Sequence, residues 1–191
     1  MEIVVATGNK HKLDEIIPLI PSSIKLLTLK DINFNDDIPE NEPTLEGNAL
    51  AKARFIFQLT GKNCLADDTG LEVEALNGEP GVFSARYAGE EKNSEKNMAK
   101  LLAALSEKNS RKARFKTAMA LIINQKEYLF EGIVNGEILL EKRGEKGFGY
   151  DPIFQAEGFN KSFAEMSLDD KNKISHRALA TQKVADFLKI F

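Results

Sequence analysis

The 191-residue chain has one cysteine, no tryptophan, two histidines and no excess of positive charge, since 26 Lys and Arg stand against 29 Asp and Glu. A lone Cys64 excludes an intrachain disulfide and fits a reducing compartment. A net charge of -3 excludes the basic field that non-specific binding of DNA or RNA requires, but leaves room for a small anion held by a local Lys cluster. Apolar runs are short, and residues 118–123 fall far below the ~20 residues of a membrane span. Met1-Glu2-Ile3-Val4-Val5 carries no basic leader region, so no signal peptide is expected and the protein reads as cytoplasmic. Internal repeats and low-complexity tracts are lacking too. What remains, 42% hydrophobic and 29% charged residues, is the make-up of a soluble globular chain. We expect one domain over residues 1–191, long enough for two lobes sharing a sheet.

Ile3-Val4-Val5-Ala6 is a continuous, β-branched run, as in a strand buried on both faces, and it leads into Thr7-Gly8-Asn9-Lys10. Leu13, Ile16, Ile17 and Ile20 then recur with helical period until Pro18 and Pro21 end the helix. Residues 24–29 predict a second strand, giving a strand-helix-strand start with a right-handed crossover. Residues 30–43 are acidic and turn-rich, which predicts a long surface loop. Thr44 is placed to cap a helix whose Leu45, Ala49, Ala53, Ile56 and Phe57 share a face and which Gly61 closes.

After a short strand at Cys64-Leu65-Ala66, Asp67-Asp68-Thr69-Gly70 predicts a polar turn at a strand end, and Asn77-Gly78 predicts a hairpin after residues 71–76. Met98, Leu101, Leu102 and Leu105 mark a helix. Residues 114–123, 128–134 and 136–140 predict three strands of an antiparallel meander. A last helix from about Ser175 carries the stripe Ala180, Val184, Phe187, Leu188 and Phe191. The fold class is therefore α/β of mixed α+β type, a mixed β-sheet flanked by helices.

Three polar clusters sit at element ends, where a rigid scaffold carries functional groups. In Thr7-Gly8-Asn9-Lys10-His11-Lys12, a strand, a Gly turn and a helix start offer backbone N–H groups and Lys charge to a phosphate, though the P-loop pattern is absent. An ordinary helix start with solvated Lys fits the same residues. The second cluster joins loop carboxylates, Glu40 or Glu42, to Asp67 and Asp68. Hard oxygen ligands with no His or Cys beside them suit Mg²⁺, which bridges carboxylates to substrate phosphates. A plain turn, with Asp36 and Asp37 on a solvated face, is the competing reading. The third cluster is Phe148-Gly149-Tyr150-Asp151 with Lys171 and Ser175-His176-Arg177. An aromatic face and several hydrogen-bonding groups suit a nucleobase, and core plugs suit the same aromatics.

Six motifs in register close the reading: Thr7-Gly8-Asn9-x-x-Lys12, Glu46-Gly47-Asn48-Ala49-x-x-Lys52-Ala53, Ala66-Asp67-Asp68-Thr69-Gly70-Leu71, Pro80-Gly81-x-x-Ser84-Ala85-Arg86-Tyr87, Phe148-Gly149-Tyr150-Asp151-Pro152 and Ser175-His176-Arg177. Together they resemble the inosine/xanthosine triphosphate pyrophosphatase family over nearly the whole chain. The resemblance implies a long twisted sheet in two lobes with an active-site cleft between them. It implies hydrolysis of ITP, dITP and XTP to the monophosphate and pyrophosphate, with Mg²⁺, by a homodimer that binds neither nucleic acid polymer nor membrane.

By residue, the resemblance implies that Thr7, Gly8, Asn9, Lys10, His11 and Lys12 hold the triphosphate and that Lys52 faces the phosphates. Glu40 and Asp68 become metal ligands, Asp68 the proton acceptor as well, and Asp67 its structural support. Thr69 touches substrate, Phe148 stacks on the base beside Gly149, and Tyr150, Asp151, Lys171, His176 and Arg177 hold base and nucleotide. Two departures stand out. Gly47 replaces a Glu usual before Asn48, and Glu40-Asn41-Glu42-Pro43 stands where many relatives have Glu-Thr-Gly, so Glu42 rivals Glu40. A donor from Arg177 aimed at O6 of hypoxanthine would meet an amino group on adenine, a mismatch able to reject the wrong base by roughly 10⁴ to 10⁵.

Overall fold

The structure, a computed structural model, describes residues 1–190; Phe191, which the last-helix stripe includes, lies outside them. The elements run β1 (Glu2–Val5), α1 (Lys10–Ile16), β2 (Lys25–Leu27), α2 (Leu45–Thr60), β3 (Cys64–Val73), β4 (Pro80–Gly81), α3 (Ser94–Ala104), β5 (Lys112–Ile123), β6 (Lys126–Ile138), β7 (Phe154–Ala156), α4 (Leu168–Ile174) and α5 (His176–Leu188). The strands order β2-β1-β3-β5-β6-β7, with β4 paired to β3. β1 is parallel to β2 and β3, whereas β4 and β7 pair antiparallel with β3 and β6, so the sheet is mixed as the sequence predicts.

The chain divides into two compact units. The first comprises Met1–Asp68, Thr117–Gly132 and the segment from Arg177; the second comprises Thr69–Lys116 and Ile133–His176. In the first, Ile3, Leu65, Met119, Leu121 and Ile123 form one apolar face against Ile16 and Ile20 from the α1 side and Ala180, Val184 and Leu188 of α5. The alternate residues Val4, Cys64, Ala66, Ala118, Ala120 and Ile122 are buried as well, and alternation sends them to the opposite face. α2 lies there. Thr44 caps it by accepting from Gly47 N, and Gly61 ends it in a left-handed conformation, as predicted. In the second unit Leu71, Val73, Phe115, Ile138 and Phe154 pack with Met98 and Leu101 of α3 and with Leu105, which caps its C-terminus.

Three local expectations need correction. β3 does not end at a turn; it runs unbroken through Asp67-Asp68-Thr69-Gly70 to Val73, because ion pairs satisfy the buried carboxylates within extended backbone. The reversal comes later, through a 3-10 turn at Glu74–Leu76 and positive φ at Asn77 and Gly78. β6 is one strand rather than two, since Gly136 stays extended and its missing side chain lets Gln155 of β7 approach: a Cβ there would lie 2.2 Å from the Gln155 carbonyl oxygen. The closing segment holds two helices, with α4 capped by Ser167 and separated from α5 by an extended Ser175.

Candidate active site

In the first unit, the end of β1 passes into α1 through Thr7, Gly8 and Asn9. Asn9 is the N-cap, and its Oδ1 accepts from His11 N at 3.0 Å and Lys12 N at 3.4 Å. Two of the amides expected to face a phosphate are therefore taken by the cap. Lys10 and His11 extend into solvent, whereas Lys12 turns inward. Lys12 Nζ lies 3.1 Å from Asp67 Oδ2, and the same oxygen lies 3.2 Å from Arg177 Nε. Arg177 also binds Glu15 through Nη1. Arg177, Asp67 and Glu15 are all nearly inaccessible, so this is a buried network in which each carboxylate has a cation.

Burial alone would raise the Asp67 pKa, but Lys12 and Arg177 pull it well below the usual carboxylate range. The Lys12 pKa is lowered too, for a different reason: burial lowers it and Asp67 only partly restores it. The acid is kept ionised by permanent company.

Asp68, next along β3, faces the α2 side. Its Oδ2 accepts from Asn48 Nδ2 at 3.0 Å, and its Oδ1 lies 3.7 Å from Lys52 Nζ, which also binds Glu40. Asn48 and Lys52 are one helical turn apart on α2, the spacing that places both on one face. Asn48 accepts from Glu42 N at 2.9 Å through Oδ1, so the acidic loop is tied to α2 by its backbone. Burial raises the Asp68 pKa; Lys52 and Lys12 lower it, Glu40 raises it, and the balance is upward. For Lys52, burial is outweighed by Asp68 and Glu40, and its pKa rises. Of the two rival loop acids, it is Glu40 whose carboxylate reaches Lys52.

In the second unit Asp151 closes the Phe148-Gly149-Tyr150 turn. Its Oδ2 accepts from Phe148 N at 2.9 Å and from Lys171 Nζ at 2.6 Å. Lys171 Nζ sits 5.2 Å from the Phe148 ring centroid, a cation-π contact on a half-buried ring. Gly149 has positive φ and open space around it, and Thr69 is half-buried at the start of the unit. Tyr150 is buried, donates its hydroxyl to Ser84 O at 2.9 Å, and has its pKa pushed up by burial. His176 is buried, stacked on Phe115 at 4.4 Å.

The chain matches the model of the Ham1 family over residues 3–187. It belongs to the Ham1 family. Among curated proteins, this Ham1 chain is 54% identical to a dITP/XTP pyrophosphatase of Flavobacterium psychrophilum over 99% of its own length and 100% of the relative's. It is 45% identical to a protein of that name from a Thermoanaerobacter species, covering 98% and 96% of the two chains. Among solved structures it superposes on a HAM1 protein from Coxiella burnetii with a TM-score of 0.92 at 38% identity, covering 100% of both chains.

In this Ham1 chain several residues expected at the nucleotide have protein partners. Arg177 was expected to aim a donor at the base; its Nε and Nη1 instead bind two buried carboxylates, which a fully desolvated guanidinium needs. Tyr150, Asp151, Lys171 and His176 were expected on the nucleotide, and their side chains are engaged inside the second unit. Glu15, and the roles of Asn48 and Ser84, were not anticipated. Glu15 follows Lys12 by three positions and Asn48 precedes Lys52 by four, so helical spacing carried a usable signal for both. Among the described residues no cluster of three His, Cys, Asp or Glu is placed to hold a metal, and no helix is long and apolar enough to cross a membrane.

Proposed function

We propose that this protein hydrolyses dITP, ITP and XTP to the nucleoside monophosphate and pyrophosphate, removing deaminated purines from the nucleotide pool. The observation that carries this reading is Asp68: a buried carboxylate, its proton affinity raised, held by Asn48 and set beside Lys52 and Glu40. Such a group can take a proton from water at neutral pH. Relatives named dITP/XTP pyrophosphatase, matched from end to end, supply the substrate class.

Asp68 accepts a proton as the water oxygen bonds to the α-phosphorus, and the bond from that phosphorus to the pyrophosphate oxygen breaks. Lys12, Lys52 and Lys10 meet the negative charge of the triphosphate, with Thr7, Gly8, Asn9 and His11 lining its approach. Phe148 offers a ring face to the base, with open space beside it at Gly149, and Thr69 touches the substrate. Tyr150, Asp151 and Lys171 hold the Phe148 turn, His176 stacks on Phe115, and Arg177 supports Asp67. That assignment moves discrimination of the base away from the Arg177 side chain.

Glu40 and Asp68 are hard oxygen donors sharing one ammonium, which supports a place for positive charge between them. They fit Mg²⁺, an ion that binds through one or two carboxylates plus phosphates and keeps several waters. Bound there, it would offset phosphate charge. We also assign a homodimer and a cytoplasmic location. Pyrophosphate release from dITP, measured with Mg²⁺ and after chelation, tests the reading; a protein that binds dITP but leaves it intact would be a nucleotide-sensing regulator instead. Sedimentation of the purified chain tests the dimer.

A further inference from the structure

Gly47 occupies the first turn of α2, where glycine is a poor helix former and no left-handed conformation calls for it. Its reason is steric. A Cβ at position 47 would lie 2.8 Å from Glu42 Cβ, 3.0 Å from Thr44 Oγ1 and 3.3 Å from Glu42 Cγ. The nearest of these is the root of a side chain, which cannot swing aside without moving its backbone.

That backbone is fixed. Glu42 N donates to Asn48 Oδ1 at 2.9 Å, and Asn48 Nδ2 donates to Asp68 Oδ2 at 3.0 Å. The amide orientation follows from its partners: a backbone N–H can only donate, so Oδ1 faces it, and the NH₂ is left to the carboxylate. Asn48 is buried, and two residues before Glu42 the loop delivers Glu40 to Lys52, the ammonium that also faces Asp68.

We propose that Gly47 and Glu42 form a mutually exclusive pair, in which the bare position on α2 seats the loop residue on Asn48 and so sets Glu40 against Asp68. Gly47, Glu42 and Asn48 are then positioning residues for the carboxylates at the reacting end. A side chain at 42 leaves no room for one at 47.

The test is a second-site rescue. Gly47→Ala should speed deuterium exchange in the segment around Glu42 by about tenfold or more in the intact protein, as the Asn48 bond is lost. It should also lower kcat for dITP about tenfold to a hundredfold. Adding Glu42→Gly to Gly47→Ala should bring both values back to within about threefold of the unmodified protein. Asn48→Ala should raise the same exchange, and Glu42→Gly should not relieve it. Unchanged exchange in Gly47→Ala, or a loss that Glu42→Gly leaves in place, overturns the proposal. If Gly47→Ala yields no folded protein, recovery of folding in the double variant supports the pair and failure of both overturns it. The kinetic arm rests on the hydrolase reading and the exchange arm does not, so an unmodified protein that leaves dITP intact sinks that reading alone.

Discussion

Asp67 and Asp68 are adjacent in sequence and serve opposite faces of β3: Asp67 Oδ2 lies 3.1 Å from Lys12 Nζ, and Asp68 Oδ2 accepts from Asn48 Nδ2 at 3.0 Å. Strand alternation makes the separation unavoidable. It sends Asp67 toward α1 and α5, where Lys12 and Arg177 keep it ionised, and Asp68 toward α2, where burial raises its proton affinity. One acid is suited to hold cations in place and the other to exchange a proton.

Replacing Asp68 by Asn keeps the shape and removes the proposed base. We expect kcat for dITP to fall by roughly 10² to 10⁴, the usual worth of a general base, with dITP affinity by calorimetry largely kept. In the unmodified protein kcat/KM should decline on acidification along a limb above the ordinary value of 3.8, because burial raises the Asp68 pKa. Near-normal turnover by the Asn variant would remove Asp68 from the reaction.

Asp67→Ala leaves Lys12 and Arg177 buried without their shared carboxylate. A loss of about 3–5 kcal/mol in unfolding free energy by urea titration is expected. Despite its burial, Asp67 has a folded pKa below the unfolded value of 3.8, through Lys12 and Arg177. The folded state then binds fewer protons, so this contribution is full above pH 3.8 and fades as pH falls below it. The gap between the two proteins should narrow on acidification, and a constant gap down to the acid limit would contradict the linkage.

Phe148→Ala removes the ring that Lys171 approaches at 5.2 Å. Base-aromatic stacking is worth about 1–3 kcal/mol, so KM for dITP should rise roughly 5-fold to 150-fold with a smaller change in kcat. An unchanged KM would place the base elsewhere.

Gly136→Ala tests the continuity of β6 with β7. A Cβ 2.2 Å from the Gln155 carbonyl oxygen forces backbone apart, and a destabilisation of about 1–3 kcal/mol or more is expected in thermal unfolding. Wild-type stability would mean that β7 yields without cost.

Features set by neighbours in the chain were legible in the residues themselves. The Thr44 cap and Gly61 stop of α2, the end of α1 near Pro18, and the parallel start of the sheet all follow from local sterics and periodicity. Motif spacing carried the family. Only the tertiary structure decided which charges meet. Arg177 finds Asp67 across 110 positions, Lys171 finds Asp151 across 20, and Asn48 joins Glu42 to Asp68. The Asp67-Asp68-Thr69-Gly70 stretch shows why: its residue types favour a turn, and it becomes the middle of β3 because cations from α1, α2 and α5 satisfy its carboxylates there. Local preference is worth tenths of a kcal/mol, whereas a buried carboxylate without partners costs several, so the distant cations determine the outcome.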